Sequence, residues 1–228
     1  LIPVMILYII RKRTSAQRRR FLIIFSLCGV VYYLFNWITM IYIPRDLLII
    51  LPLQLCDIAV FMMPVGLITG NKKVIDFIFY VCGLGALSAI ILMGIASKDA
   101  FYEMNPNFFF SHYAILALPV LMIIWGMIDP EPGIKKALRL TAELMILSAF
   151  MHGLNLFLAY AYHAESYYFF TRVKTGILVS PILALFAKII PYDYFYLLLT
   201  LPILYLYMIL VYWARKQIMK YPKLKNSP

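Results

Sequence analysis

Two neighbouring residues, Cys56 and Asp57, have the most potential for chemistry in this chain, because they follow Gln54 inside an apolar run long enough to cross a membrane. A charged side chain at the centre of a membrane helix costs roughly 2.5–3.5 kcal/mol, so such a residue is usually functional. A cysteine thiolate is a strong nucleophile, and a nearby base such as histidine activates it. The segment therefore predicts a nucleophilic thiol or, in the simpler interpretation, a small packing residue.

Two histidines are candidates for the base. His112 follows Ser111 near the start of a later apolar run. His152 precedes Asn155 by three positions, so these two side chains share one face of a helix. Amide groups can hold an oxyanion or a substrate hydroxyl. The amide candidates are Asn36, Gln54 and Asn155.

Asp57 has a different expected role from its neighbour Cys56. Adjacent positions on a helix point about 100° apart, so the carboxylate does not reach the thiol directly. We expect Asp57 to orient a histidine or to bind a backbone group.

The composition excludes a soluble globular protein. The 228 residues are 64% hydrophobic and 14% charged, with a mean hydropathy of +0.87, whereas soluble domains are about 45–50% apolar. The charged residues form short clusters between apolar runs, which is typical of a multi-pass α-helical membrane protein. The three histidines lack zinc-type spacing and the three cysteines form no CxxC pair, so we expect no metal and no cofactor.

The apolar runs predict one all-α domain over residues 1–228, a polytopic membrane helical bundle with about seven transmembrane helices. At about 1.5 Å per residue, about 20 residues span a hydrocarbon core of about 30 Å. The predicted spans are Leu1–Ile10 (the end of an incomplete first helix), Phe21–Ile43, Leu47–Gly70, Val74–Ser97, Phe108–Ile128, Ala137–Tyr160 and Tyr192–Trp213. Gly176–Ile190 is short and contains Pro181, so we expect an interfacial or re-entrant helix there.

Most of the 21 basic residues fall on one side of this arrangement. That side receives residues 11–20, Lys72 and Lys73, residues 135–139 and the segment from Arg215 onward. The positive-inside rule puts this side in the cytoplasm, with the N-terminus outside and the C-terminus inside. The net charge of +11 is then a topology signal, and nucleic acid is not an expected partner.

This topology brings polar residues from four helices into the outer half of the bilayer. They are Asn36, Gln54, Cys56, Asp57, Ser111, His112, His152 and Asn155. The convergence predicts a buried functional site, with a structural network that only joins helices as the alternative. Counted from the outer loops, Cys56 lies about ten residues into its run and His112 about four, a mismatch of about 9 Å.

The segments Leu51-Pro52-Leu53-Gln54-Leu55-Cys56-Asp57 and Phe110-Ser111-His112-Tyr113 resemble the YwaF-like integral membrane family. That family includes an animal transmembrane acyltransferase acting on ether phospholipids. The resemblance extends from about Phe21 to Trp213 and includes Gly153-Leu154-Asn155. A more distant similarity links the chain to the androgen-induced membrane hydrolases, which have a threonine in place of this cysteine.

The resemblance implies that Cys56 and His112 form a catalytic pair, in which the cysteine carries an acyl chain as a thioester and the histidine is the general base. It implies a lipid acyl donor and a lysophospholipid-like acceptor as partners. We expect Asp57, Gln54, Asn36, Ser111, His152 and Asn155 to bind substrate or to support the pair. We also expect an integral, multi-pass protein of a bacterial plasma membrane.

Two other functions stay open at this point. A lipid hydrolase would use the same thiol and imidazole with water as the acceptor. A small-molecule binding or transport subunit would use the same polar pocket without any chemistry.

Overall fold

The computed structural model describes residues 13–41, 51–96, 106–128, 130–164, 166, 168–174 and 180–218. Within these ranges the chain forms helices and turns and no strand, which confirms the predicted all-α class. The helices are α1 Ser15–Ile41, α2 Leu55–Thr69, α3 Lys72–Phe77, α4 Gly83–Ala96, α5 Pro106–Ile124, α6 Ile134–Tyr162, α7 Pro181–Ile189 and α8 Thr200–Ile218. A π-helical turn, Ile78–Cys82, joins α3 to α4, and 3-10 turns form at Tyr168–Phe170 and Phe195–Leu199.

Four helical segments of the described chain are long and apolar enough to cross a membrane. They are Ser15–Ile38, Lys72–Ile91, Ile134–Tyr162 and Phe195–Gln217. The protein is therefore an integral membrane helical bundle, as its composition predicted. The predicted first span, Leu1–Ile10, lies outside the described residues.

Helix α2 begins later than the run Leu47–Gly70 predicted. It has 15 residues, a length of about 22 Å against a hydrocarbon core of about 30 Å. Leu51–Gln54 is not helical, because Pro52 lacks an N–H group and disfavours helical geometry at the residue before it. Gly70 ends α2 in a left-handed conformation with φ of 66°, which glycine adopts without strain.

Other boundaries differ from the predicted runs as well, and α8 begins at Thr200 rather than Tyr192 because the 3-10 turn Phe195–Leu199 precedes it. α1 starts at Ser15 because Thr14 and Gln17 cap it, with Thr14 N–H donating to Gln17 Oε1 at 3.1 Å and Gln17 N–H to Thr14 Oγ1 at 3.3 Å. α5 ends at Ile124, where the predicted run continued to Ile128. Gly126, with φ of 69°, turns the chain there.

The predicted short helix between 176 and 190 is α7, which has nine residues and starts at Pro181. Ser180 caps it, its hydroxyl accepting from Leu183 N–H at 3.4 Å. A helix of this length does not cross a bilayer, which agrees with an interfacial or re-entrant element.

Three apolar clusters hold the bundle together. The first joins α1, α2 and α5 through residues such as Leu22, Met63 and Leu118. The second joins the π-helical turn to α6 and α8. The third packs Tyr168 and Phe169 against α6 and the start of α2, so the segment after α6 lies directly beside that start.

Described basic residues of α1, α3 and α6, which the sequence assigned to one side, lie at one end of the bundle, called here the basic end. Arg19 on α1 donates to the carbonyl of Leu67 at the end of α2, through Nε at 3.1 Å and Nη2 at 2.9 Å. At the start of α6, Arg139 Nη2 lies 2.8 Å from Asp76 Oδ2 on α3 and Lys136 Nζ lies 3.6 Å from Asp76 Oδ1. The start of α2 lies at the opposite end.

Candidate functional site

The first turn of α2 holds the principal candidate residues. Leu55 opens the helix, Cys56 follows, and Asp57 closes a capping box with Gln54. The Gln54 N–H donates to Asp57 Oδ2 at 3.0 Å. Asp57 therefore has the second of its two expected roles, since it binds a backbone group rather than a histidine.

Tyr33 on α1 is a member of this site that the sequence did not single out. Its ring is 8% exposed, its hydroxyl interacts with the Asp57 carboxylate, and it lies within electrostatic range of Cys56. A buried tyrosine hydroxyl needs a polar partner, and that requirement was the available signal. Its place in an aromatic stretch of an apolar run favoured a membrane-facing ring instead.

Helices α2 and α5 start at the same end and pack side by side in one register. Going from the basic end toward the other, the pairs that line common cavities are Leu67 with Met122, Met63 with Leu118, and Val60 with Ile115. Cys56 precedes Val60 by about one turn on α2, and Ser111 precedes Ile115 by about one turn on α5. Cys56 lies in the first turn of α2, rather than about ten residues into a helix as the sequence predicted.

A narrow crevice runs between α1, α2 and α5 from this level toward the basic end. Its volume is about 20 Å³, and its walls are mainly apolar. Tyr33 and Ser111 lie at the upper part, while Met63 and Leu118 lie lower. Cys56 shares a helix face with the lining residues Ala59, Val60 and Met63, which follow it at spacings of three, four and seven.

His112 is buried, with 8% of its surface exposed, and a hydrogen bond to its own helix fixes its ring. Nδ1 lies 2.6 Å from the carbonyl oxygen of Phe108, one turn earlier. Because a carbonyl only accepts hydrogen bonds, Nδ1 carries the proton and the neutral ring keeps the lone pair on Nε2. The Phe108 ring packs against the imidazole, with centroids 4.0 Å apart.

Within the described residues, no hydrogen bond joins the Cys56 thiol to the His112 ring, and neither residue lines the crevice itself. The two side chains are therefore not joined by a direct hydrogen bond. The Ser111 hydroxyl donates to Phe108 O of its own helix at 3.1 Å and lies 3.4 Å from His112 Nδ1.

A second polar cluster forms on the other flank of the α2 start, around Asn155. This residue is fully buried, and its Nδ2 donates to Tyr168 O at 2.8 Å and to Thr171 Oγ1 at 2.9 Å. Its Oδ1 accepts from Ser166 Oγ at 2.8 Å and from Tyr168 N–H at 3.1 Å. The amide is saturated, so it fixes the segment after α6 rather than facing a substrate.

His152 and Gln54 also bind this segment. His152 Nδ1 lies 3.2 Å from Thr171 Oγ1, and Gln54 Oε1 accepts from Phe169 N–H at 3.0 Å. The predicted single cluster of polar residues is thus two clusters, one on each side of the α2 start, which Gln54 connects. Thr171 and Ser166 were missed because they lie outside the predicted spans.

The remaining polar residues have partners of their own. Asn36 Nδ2 donates to Tyr32 O within α1 at 2.8 Å. Asp76 and Glu143 belong to the basic end, where Arg139 binds both, with 3.6 Å to Glu143 Oε1. The described part of the chain contains no group of three or more His, Cys, Asp or Glu residues that could hold a metal ion.

The fold and this site define an integral membrane helical bundle with a cysteine at the start of a short helix, α2, and a buried histidine on the neighbouring helix α5. The chain belongs to the TMEM164 family, whose family profile matches residues 1–212. No curated protein and no solved structure matches the chain.

Proposed function

We propose that the protein is a membrane-embedded acyltransferase that moves phospholipid acyl chains through a thioester on Cys56, with His112 as the general base. The observation that carries the proposal is that α2 and α5 line the same cavities side by side, with Cys56 and His112 each within about one turn of the lining residues Val60 and Ile115. A thiol and an imidazole at one depth are the minimal pair for covalent acyl transfer.

The orientation of His112 supports its role as the base. The bond from Nδ1 to the Phe108 carbonyl leaves Nε2 free to take a proton. The carbonyl holds the ring in place, as the carboxylate does in a Ser-His-Asp triad. Catalytic hydrogen bonds are often long without substrate and shorten in the complex, so the missing contact with the thiol is compatible with catalysis.

The start of α2 supplies groups for the oxyanion. The N–H groups of Leu55 and Cys56 open the helix and have no carbonyl to bond within it. Donors at this position stabilise the negative charge that develops on an attacked carbonyl oxygen. The Tyr33 hydroxyl lies on the crevice side and interacts with the Asp57 carboxylate, which orients this first turn.

The proposed reaction has two steps. First, the thiol proton of Cys56 moves to His112 Nε2 and Sγ attacks the ester carbonyl of a phospholipid. The tetrahedral intermediate expels the glycerol oxygen, which takes the proton back from His112 and leaves as a lysophospholipid. Second, His112 takes the hydroxyl proton of another lysophospholipid, whose oxygen attacks the thioester and restores the thiol.

The partners in this proposal are membrane lipids, an acyl donor and a lysophospholipid-like acceptor, and the reaction needs no cofactor and no nucleic acid. The apolar crevice next to Cys56 is narrow, so the acyl chain would lie along its membrane-facing opening or spread α1 from α5. A bacterial plasma membrane stays a prediction from the sequence.

The decisive experiment uses the purified full chain in vesicles that contain a phospholipid and an isotope-labelled lysophospholipid. We expect wild-type protein to transfer label into diacyl lipid and to show an acyl adduct on Cys56 by mass spectrometry that hydroxylamine removes. Cys56→Ala and His112→Gln should each abolish transfer. Cys28→Ala is the matched control, because Cys28 is exposed on α1 and should retain full activity.

Other outcomes would contradict the proposal in distinguishable ways. Transfer that survives Cys56→Ala rules out the thioester. Free fatty acid without diacyl product indicates the hydrolase. Mild effects of Cys56→Ser, without any lipid turnover by the wild type, favour the binding or transport subunit.

A further inference from the structure

A cavity of about 380 Å³ lies at the basic end, between the starts of α1 and α3, the end of α2 and the turn after α5. It is separate from the Cys56 site, because its residue Leu67 lies about 16 Å further along α2. Its size falls within the range of small-molecule sites, about 300–1,000 Å³.

The polar wall of this cavity is cationic. Arg19 and Lys72 line it together with Ser15, and no acidic residue among those that the structure describes does. Three hydrogen bonds hold the Arg19 guanidinium in place, including one from Nη2 to Ile68 O at 3.2 Å. In the described chain no carboxylate pairs with Lys72, since nearby Asp76 pairs with Lys136 and Arg139.

The rest of the cavity wall is apolar. It consists of Ala16, Leu67, Gly70, Ile75, Met122, Met127 and Ile128. A free inorganic anion gains nothing from such a surface, whereas an acyl chain or a glycerol backbone does. The combination of two cations and an apolar floor therefore selects an amphiphile with a phosphate group at its polar end.

We propose that this cavity binds the headgroup phosphate of an anionic phospholipid from the membrane leaflet at the basic end. The cavity holds the headgroup and the first part of the chains, and the remaining chains lie in the bilayer. Because the site is separate from Cys56, it does not depend on the acyltransferase proposal. A lipid bound here would join the ends of α1, α2 and α3.

The first test measures lipid binding by native mass spectrometry of the full chain in detergent, with added phosphatidylglycerol. We expect one tightly bound lipid, and about 5-fold weaker apparent affinity in Lys72→Gln, because one cation near a lipid headgroup contributes about that factor. Lys73→Gln removes the same charge one position away, and Lys73 does not line the cavity, so this control should bind like the wild type. Equal losses in the two variants would overturn the proposal in favour of general surface charge.

The second test fills the cavity and leaves both charges in place. Ala16 lines the cavity and is exposed, so Ala16→Leu should weaken phosphatidylglycerol binding at unchanged melting temperature. Ala142→Leu, on an exposed position of α6, is the matched control and should have no effect. Displacement of the lipid by millimolar inorganic phosphate, or equal affinity for zwitterionic phosphatidylcholine, would contradict a phospholipid headgroup site.

Discussion

At the scale of single residues, Tyr33 is the main addition that the structure makes to the predicted site. Its hydroxyl reaches Asp57 while its ring lines the crevice, so it connects the capped start of α2 with the space beside Ser111. Because its single O–H proton is directed at the Asp57 carboxylate, the hydroxyl orients the first turn of α2, which holds Cys56. Its ring also packs edge-on against Phe61, with centroids 5.5 Å apart, which fixes its direction.

We predict that Tyr33→Phe lowers the rate of acyl transfer about 10- to 100-fold, because it removes the hydroxyl that binds Asp57 and orients the turn holding Cys56, while it keeps the ring. The stability should change by about 1 kcal/mol, the net contribution of one hydrogen bond. Initial rates with labelled lysophospholipid and the melting temperature in detergent measure the two effects.

Tyr32→Phe is the control for this prediction, since Tyr32 is the neighbouring residue and its ring packs against Phe110 at 5.0 Å. It should keep the wild-type rate. A rate loss of equal size in both variants would show that the Tyr33 hydroxyl has no special role.

The sequence identified Cys56 and His112 at this scale, because a thiol and an imidazole inside apolar runs are unusual. It did not predict that His112 would bind its own helix carbonyl, or that Asn155 would be saturated by Ser166, Thr171 and Tyr168. Such bonds depend on which groups lie opposite one another after folding. The sequence alone does not distinguish an amide that holds a loop in place from an amide that binds substrate.

At the scale of elements, the segment after α6 is the part most dependent on side-chain hydrogen bonds. Phe169 and Phe170 have φ of 55° and 50°, a conformation that costs of order 1 kcal/mol or more for a residue with a side chain. Asn155 donates to Tyr168 O, and Gln54 accepts from Phe169 N–H. The Tyr196 hydroxyl donates to Phe170 O. The bonds compensate for the unfavourable backbone.

We predict that Asn155→Ala lowers the free energy of unfolding by about 2–4 kcal/mol, because it leaves several buried polar groups without partners. Hydrogen exchange should speed up at the Tyr168 amide, which Asn155 Oδ1 binds. Thermal unfolding in detergent and exchange mass spectrometry give both values.

Ser148→Ala serves as the comparison for Asn155→Ala. Ser148 is also a buried polar residue of α6, but its hydroxyl donates only to Met145 O within the helix, at 3.2 Å. Its loss should cost less than about 1 kcal/mol. Equal destabilisation by the two substitutions would mean that the Asn155 bonds do not hold the segment.

The sequence predicted the long helices well, because a run of apolar residues is a sufficient signal for a helix in a bilayer. It placed the start of α2 too early, although two signals were present. Pro52 disfavours helical geometry before it, and Gln54 with Asp57 has the spacing of a capping box. Uniform apolar character concealed the break because hydropathy does not distinguish helical from extended backbone.

At the scale of the whole molecule, the two ends of the bundle differ in charge. Arg18 lies 5.7 Å from the Trp125 ring centroid, which joins the start of α1 to the turn after α5. Lys136, Arg139 and Asp76 connect α6 to α3 at the same end. The end with Cys56 has aromatic and amide groups and fewer basic residues, among them Arg172 and Lys174, and the positive-inside rule assigns it to the outer face.

We predict that a single cysteine introduced at His163 reacts with a membrane-impermeant maleimide from outside intact cells. A cysteine at Glu131 should react only after permeabilisation, because it lies in the turn before α6 at the basic end. Both positions are exposed, and the background carries Ser at Cys28, Cys56 and Cys82. The reverse labelling pattern would invert the topology and move the Cys56 site to the inner leaflet.

The short length of α2 has a consequence for the bilayer itself. A helix of about 22 Å in a core of about 30 Å makes the surrounding lipid layer deform, and the modest elastic cost is met by local thinning. Thinning draws the headgroup layer of the nearer leaflet inward, toward the first turn of α2. The ester bonds of phospholipids lie at the boundary of that layer, so the deformed membrane would present them at the level of Cys56.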